Sequence, residues 1–168
     1  QQRMEVTRST ILSLLTDAYQ HRDKVGLVTF QKDRAEIVVP PTFSVALAER
    51  SMKRVTVGGK TPLSAGLLKA YEVLDREKKL HPDMNSLLIV LTDGAGNVSL
   101  GDGDPMQESK AIAEKIAEAG IRSIVIDLDQ NMFSQGLAHE LAKQLNAPCY
   151  LIAGLKAKQL TGIIRKEL

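Results

Sequence analysis

Hydrophobic spacing changes character repeatedly along this chain, and each change predicts a new element. From Met4 to about Gln20 the apolar positions Ile11, Leu14, Leu15 and Ala18 fall on one helical face. "KVGLVTF" (24–30) and "AEIVVP" (35–40) are compact, β-rich runs separated by a short polar turn. That pattern predicts a β-hairpin, which Pro40 and Pro41 should end. Ala48, Met52 and Val55 mark a short helix over 44–55. Leu63, Leu67, Ala70 and Leu74 recur at i, i+4, i+7 and i+11, the stripe of an amphipathic helix. "SLLIVLT" (86–92) is apolar without alternation, as a strand covered on both faces should be.

The second half keeps this rhythm. Asp104, Pro105 and Gln107 read as an N-cap, an N1 proline and a capping box. The helix they open should run to about Ala119 and stop at Gly120. "IRSIVIDLD" (121–129) predicts a strand, and Leu137, Leu141 and Leu145 a helix. "PCYLIA" (148–153) is a last strand and 156–167 a last helix. Strands alternating with helices predict an α/β fold: three layers, doubly wound on a mostly parallel sheet. The hairpin adds one antiparallel edge strand. No linker, repeat or low-complexity tract interrupts residues 1–168, so they read as one domain.

Bulk properties narrow the function. The chain has 168 residues, 43% hydrophobic and 25% charged, with a net charge of +2. Scattered Lys and Arg and no Trp argue against a nucleic-acid surface. "LLIVL" is far too short to span a membrane. Cys149 is the single cysteine, so no disulfide framework exists within the chain, which favours a reducing compartment: the cytoplasm, or the plastid stroma in a plant. His21, His81 and His139 lack ligand spacing and read as surface or core residues.

In a doubly wound sheet, ligands gather at the carboxyl ends of the strands. Asp93 follows such a strand in "LLIVLTDGAGN" (87–97), and "GGKTP" delivers Thr61 to the start of a helix. Each has a structural reading. Thr61 before Pro62 makes a good N-cap, and Asp93-Gly94 a common turn pair. Asp102 and Asp104 lack the EF-hand spacing and read as loop and cap residues. Asp127 and Asp129 close the next strand, and nothing in the sequence ties them to a site. "GGKT" is not a P-loop, because Arg54 stands where the first glycine belongs. "NVS" at Asn97 fits a glycosylation sequon of the kind that arises often by chance. Neither G-x-S-x-G nor H-E-x-x-H occurs.

The order of elements, with Thr61 before one helix and "TDG" after an apolar strand, resembles a von Willebrand factor A domain over the whole chain. "RMEVTRSTILSLLTDAYQHRDKVGLVTF", "VVPPT", "GGKTPLSAGL", "LTDGAGN" and "GLAHELAKQLNAPCYLI" resemble the C-terminal domain of magnesium chelatase D subunits and related cobaltochelatase subunits. This resemblance implies a metal-ion-dependent adhesion site made by three loops. Thr61 and Asp93 match two of its ligands. The others belong to an Asp-x-Ser-x-Ser segment expected just upstream of Gln1, after a strand that normally lies mid-sheet. Without that strand the core should hold a large gap, and metal occupancy should be weak or nil.

What the resemblance implies for function follows. Carboxylate and hydroxyl oxygens suit Mg²⁺, and an incomplete shell leaves a position for a partner's acidic residue. The domain would be a non-catalytic interaction module of a longer protein. It would pair with an AAA+ ATPase chelatase subunit and drive a large catalytic subunit that inserts Mg²⁺ or Co²⁺ into a tetrapyrrole. The alternative is an A domain serving adhesion or another ATPase-linked complex.

Overall fold

The computed structural model describes residues 2–32, 34–53, 62–92, 101–128, 135–152 and 157–168. The elements are α1 (Gln2–Gln20), β1 (Val25–Gln31), β2 (Arg34–Thr42), α2 (Val45–Met52), α3 (Leu63–Leu80), β3 (Leu87–Thr92), α4 (Pro105–Glu118), β4 (Arg122–Asp127), α5 (Gln135–Gln144), β5 (Cys149–Leu151) and α6 (Ala157–Glu167). This is the predicted alternation, with an antiparallel hairpin followed by parallel strands.

Local chemistry sets most boundaries. Ser44 caps α2, accepting the Leu47 N–H at 3.2 Å. Asp104 caps α4 through the Met106 N–H at 3.1 Å, with Pro105 in the first turn. Gly120 follows α4 at φ +76°, the left-handed conformation that lets the chain turn out of the helix. Two expectations need correction. β2 runs through Pro40 and Pro41 to Thr42. It pairs only with β1 among the described strands, so the missing proline N–H groups break no second ladder, and register shifts near Leu27 absorb the irregularity. The cap position of α3 is Pro62, without a side-chain cap bond, so the helix begins one residue later than Thr61 as cap would require.

The sheet comes in two pieces. β1 pairs with β2 antiparallel; β3, β4 and β5 form a parallel ladder in that order. On one face, α3, α4 and α5 cover Val90 and Val125 with Leu67, Ile116, Leu141 and Leu145. On the other, Ile124 and Ile126 meet Leu160 and Ile164 of α6 and Leu14 of α1. A third cluster joins Ile11 and Leu15 of α1 to Val38 and Val39 of β2 and Ala48 of α2. Between the sheet pieces lies a cavity of about 500 Å³, lined by Leu27 and Val28 of β1, Ile89 and Leu91 of β3, and residues of α1 and α3. The expected gap in the core is therefore a feature of the structure, and it divides what would be one sheet.

Candidate functional site

Thr61 and Asp93, the two candidate ligands, lie outside the described residues, as do Asp129, Asn97 and Arg54. Their flanks are described. Thr92 ends β3 and Pro62 precedes α3, and both are buried. β3 and β4 end level with each other: Thr92 is the register partner of Asp127, and the Leu128 N–H donates to the Thr92 carbonyl at 2.9 Å. An apolar parallel pair thus terminates on a hydroxyl and a carboxylate side by side.

The helices that flank this end open towards it. α3 starts with Leu63 and Ser64 buried, and α4 starts at its Asp104 cap. Ser64 Oγ donates to Glu108 Oε2 at 3.3 Å, joining the first turns of the two helices. A side chain at Gly103 would come within 3.1 Å of Glu108 Oε1, so the loop entering α4 passes close over that carboxylate. Helix N-termini carry partial positive charge, which favours acidic groups such as Glu108 here. Asp127 is 0% exposed. Behind it, burial pushes the Cys149 thiol above its ordinary range, and the Asp127 charge adds to that shift.

Pattern reading left Asp127 unconnected to any site; the ladder register sets it beside Thr92 at the end of β3. Its signal was in the sequence. "SIVID" ends an apolar run on a carboxylate, much as "LLIVLTD" does. Ser64 and Glu108 had no comparable signal, because the contact between them spans 44 positions. The three histidines are all exposed, and His21 Nδ1 lies 2.8 Å from the Asp17 carbonyl.

The described donors at this end are oxygens: hydroxyls of Ser64 and Thr92 and carboxylates of Glu108 and Asp127. They fit a hard cation such as Mg²⁺ in kind. They fall short in number, since the described residues contain no cluster of three or more His, Cys, Asp or Glu able to hold a metal. No described helix is long and apolar enough to cross a membrane.

Comparison with known proteins agrees with this architecture. Residues 1–95 match the family model of the von Willebrand factor type A domain. An uncharacterised protein of Methanocaldococcus jannaschii is 40% identical over 97% of this chain and 94% of its own length. The magnesium-chelatase 67 kDa subunit of Chlorobaculum tepidum is 34% identical over 94% of this chain, which spans only 27% of that subunit. Among solved structures, the BatB protein of Bacteroides thetaiotaomicron superposes with a TM-score of 0.65 at 19% identity, covering 97% of this chain and 87% of that one. The SpRpn10 VWA domain does so with a TM-score of 0.63 at 13% identity, covering 96% and 82%. At such identities the two structures speak for the fold alone, while the family model and the sequence relatives speak for descent. The chain belongs to the von Willebrand factor type A domain family.

Proposed function

We propose that this domain is a metal-dependent protein-interaction module of a chelatase complex. The observation that carries the reading is the level ending of β3 and β4 on Thr92 and the buried Asp127, together with the Ser64–Glu108 bond that joins the first turns of α3 and α4. In the sequence Asp93 follows Thr92, the last residue of β3, and Thr61 precedes the buried Pro62. Relatives named as magnesium-chelatase subunits support the assignment to that class of complex. In this reading Thr61 and Asp93 hold Mg²⁺ together with serine-bearing ligands upstream of Gln1. The cation would supply a Lewis-acidic contact for a carboxylate of the partner. The partner is an AAA+ ATPase subunit, and the assembly acts on a large catalytic subunit that inserts metal into a tetrapyrrole. The domain itself transmits contact and carries no catalytic group.

The reading is tested by calorimetric titration of the intact polypeptide against the ATPase subunit, in Mg²⁺ and in chelator. Asp93→Ala should leave the fold nearly intact, since the residue follows the end of β3 and is not one of its strand residues. It should abolish the Mg²⁺-dependent part of binding. Thr61→Ala should weaken that part beyond what a stability loss of about 1 kcal/mol, the value of a lost cap, explains. Equal binding by the wild type and Asp93→Ala in Mg²⁺ would return Asp93-Gly94 to an ordinary turn.

A further inference from the structure

At the end of the β3–β4 ladder the buried layer changes from apolar to polar within one step. Below that step, Ala113 of α4 and Leu67 of α3 share one core cluster with Val90 and Val125. α4 connects two parallel strands and so runs opposite to them. Going back from Ala113 to Ser109 is one helical turn, a rise of about 6 Å. Going from Val90 to Thr92, or from Val125 to Asp127, is two strand residues, about 7 Å. Both steps keep the side chain on the same face. Ser109 therefore stands level with Thr92 and Asp127, on the side of α4 that faces them.

Ser64 joins this layer from α3, three residues before Leu67, through its bond to Glu108. Ser64, Thr92, Ser109 and Asp127 are all buried. Ser109 is 2% exposed, and among the described residues its hydroxyl has no hydrogen-bond partner. A serine inside a helix can bond back to the carbonyl four residues earlier; Ser109 does not. A hydroxyl that gives up water and gains no bond is unfavourable. It needs a ligand small enough to reach a closed layer.

Ser123 shows why the level matters. Its hydroxyl is also buried and, among the described residues, also without a partner. It lies on the same face of β4 as Asp127 but at the opposite end of the strand, in register with Leu88. Leu88, Ala119 and Ile121 belong to the apolar cluster at that end. A bound water needs two to four polar partners. The layer of Ser109 supplies them; that of Ser123 is built from apolar side chains.

We infer that Ser109 and Asp127 hold one water molecule between α4 and the end of the β3–β4 ladder. The water donates to the Asp127 carboxylate and exchanges a hydrogen bond with the Ser109 hydroxyl, which can serve as donor or acceptor. A carboxylate has about four acceptor sites, so Asp127 takes this bond alongside its others. The bridge ties α4 to the strand end that Asp93 follows in the sequence. The water has two sources: an internal molecule, or one carried by a hard cation, since Mg²⁺ keeps several of its waters. The inference covers both, so it stands or falls apart from the proposed function.

Crystals of the intact polypeptide, grown once in chelator and once in Mg²⁺, test it. A water within hydrogen-bond distance of both Ser109 Oγ and an Asp127 carboxylate oxygen is expected. Its presence in both media assigns an internal molecule; its presence in Mg²⁺ alone, beside the cation, assigns a cation's water. Ser109→Ala removes only the hydroxyl, so the variant should fold and lose the water. Thermal unfolding supplies a sign. Ala favours a helix over Ser, and a hydroxyl with no partner is better removed. Without the water, Ser109→Ala should therefore raise the unfolding temperature. With it, the variant should unfold about 2–4 °C lower, the shift of one lost hydrogen bond in a domain of this size. Ser9→Ala, at an exposed position of α1, reports helix propensity alone and should give a small rise. A raised unfolding temperature for Ser109→Ala would overturn the inference. So would crystals in which neither medium shows the bridging water, or a water bound to Ser109 alone.

Discussion

β4 and β1 are built from similar residues but live in different surroundings. Five of the six residues in "RSIVID" are buried, whereas none of the seven in "VGLVTFQ" is. β4 has a strand on either side and helices on both faces. Among the described residues β1 has a strand on one side only, with the cavity on the other. Composition does not separate the two strands; neighbours do. Apolar residues are buried only as far as neighbours cover them, and among the described strands β4 has two neighbours where β1 has one.

Truncation in the two regions should measure that difference. Ile126→Ala removes a side chain that is 0% exposed and should cost about 2–5 kcal/mol in denaturant unfolding. Leu27→Ala, on the cavity wall, should cost well under half as much in residues 1–168. Equal costs in the isolated domain would break the comparison.

The next largest effect lies where the two sheet pieces share a helix. Gly66 of α3 packs on Phe30 of β1, and a Cβ at Gly66 would come within 2.5 Å of the ring. Gly66→Ala gains helix propensity worth roughly 1 kcal/mol, but overpacking costs about 1–3 kcal/mol. We expect net destabilisation in thermal unfolding, reversed when Phe30→Leu is added. A stabilised single variant would show that the hairpin yields easily.

Smaller effects come from the surface of each region. Asp104→Ala should cost about 1 kcal/mol through the lost cap on α4, read by the denaturant midpoint. On the other side, Arg165→Met should cost at most about 1 kcal/mol, because the pair is partly exposed. Burial of the guanidinium disfavours its charge, but the bonds to Asp23 and Asp17 outweigh that and hold its pKa above the usual value. Its contribution should shrink in high salt, whereas that of Asp104, a local hydrogen bond, should shrink less.

The smallest effect is a pH dependence beside β4. Burial, and then Asp127, raise the Cys149 thiol above its ordinary 9.0. A folded pKa above the unfolded one contributes stability that is complete below the unfolded value and lost as pH rises through the folded value. The unfolding midpoint should therefore fall as pH rises past the ordinary thiol value of 9.0, and fall less in Cys149→Ala. A steeper fall in the variant would mean that another group governs this range.

Much of the fold was legible because periodicity and caps are local. Ser44, Asp104 and Gly120 each act within a few positions of themselves, and each does what its residue type predicts. β2 was misjudged at Pro40 and Pro41, since whether a proline breaks a strand depends on which edge it occupies. Apolar runs ending on oxygen donors are legible in the sequence and do end level in the sheet at Thr92 and Asp127, while Thr61 and Asp93 lie outside the described residues. Asp127 escaped because only the register of β3 against β4 sets it beside Thr92.

Sequence alone determined the kind and order of the elements, the oxygen chemistry at the ends of β3 and β4, and the family. Each follows from patterns that repeat within a turn or a strand, or that are shared residue by residue with relatives. Tertiary structure decided what lies between and beside the elements: the split sheet, the cavity, the Ser64–Glu108 bond and the burial of Asp127. Those depend on packing between segments tens of residues apart, where no local pattern carries the information.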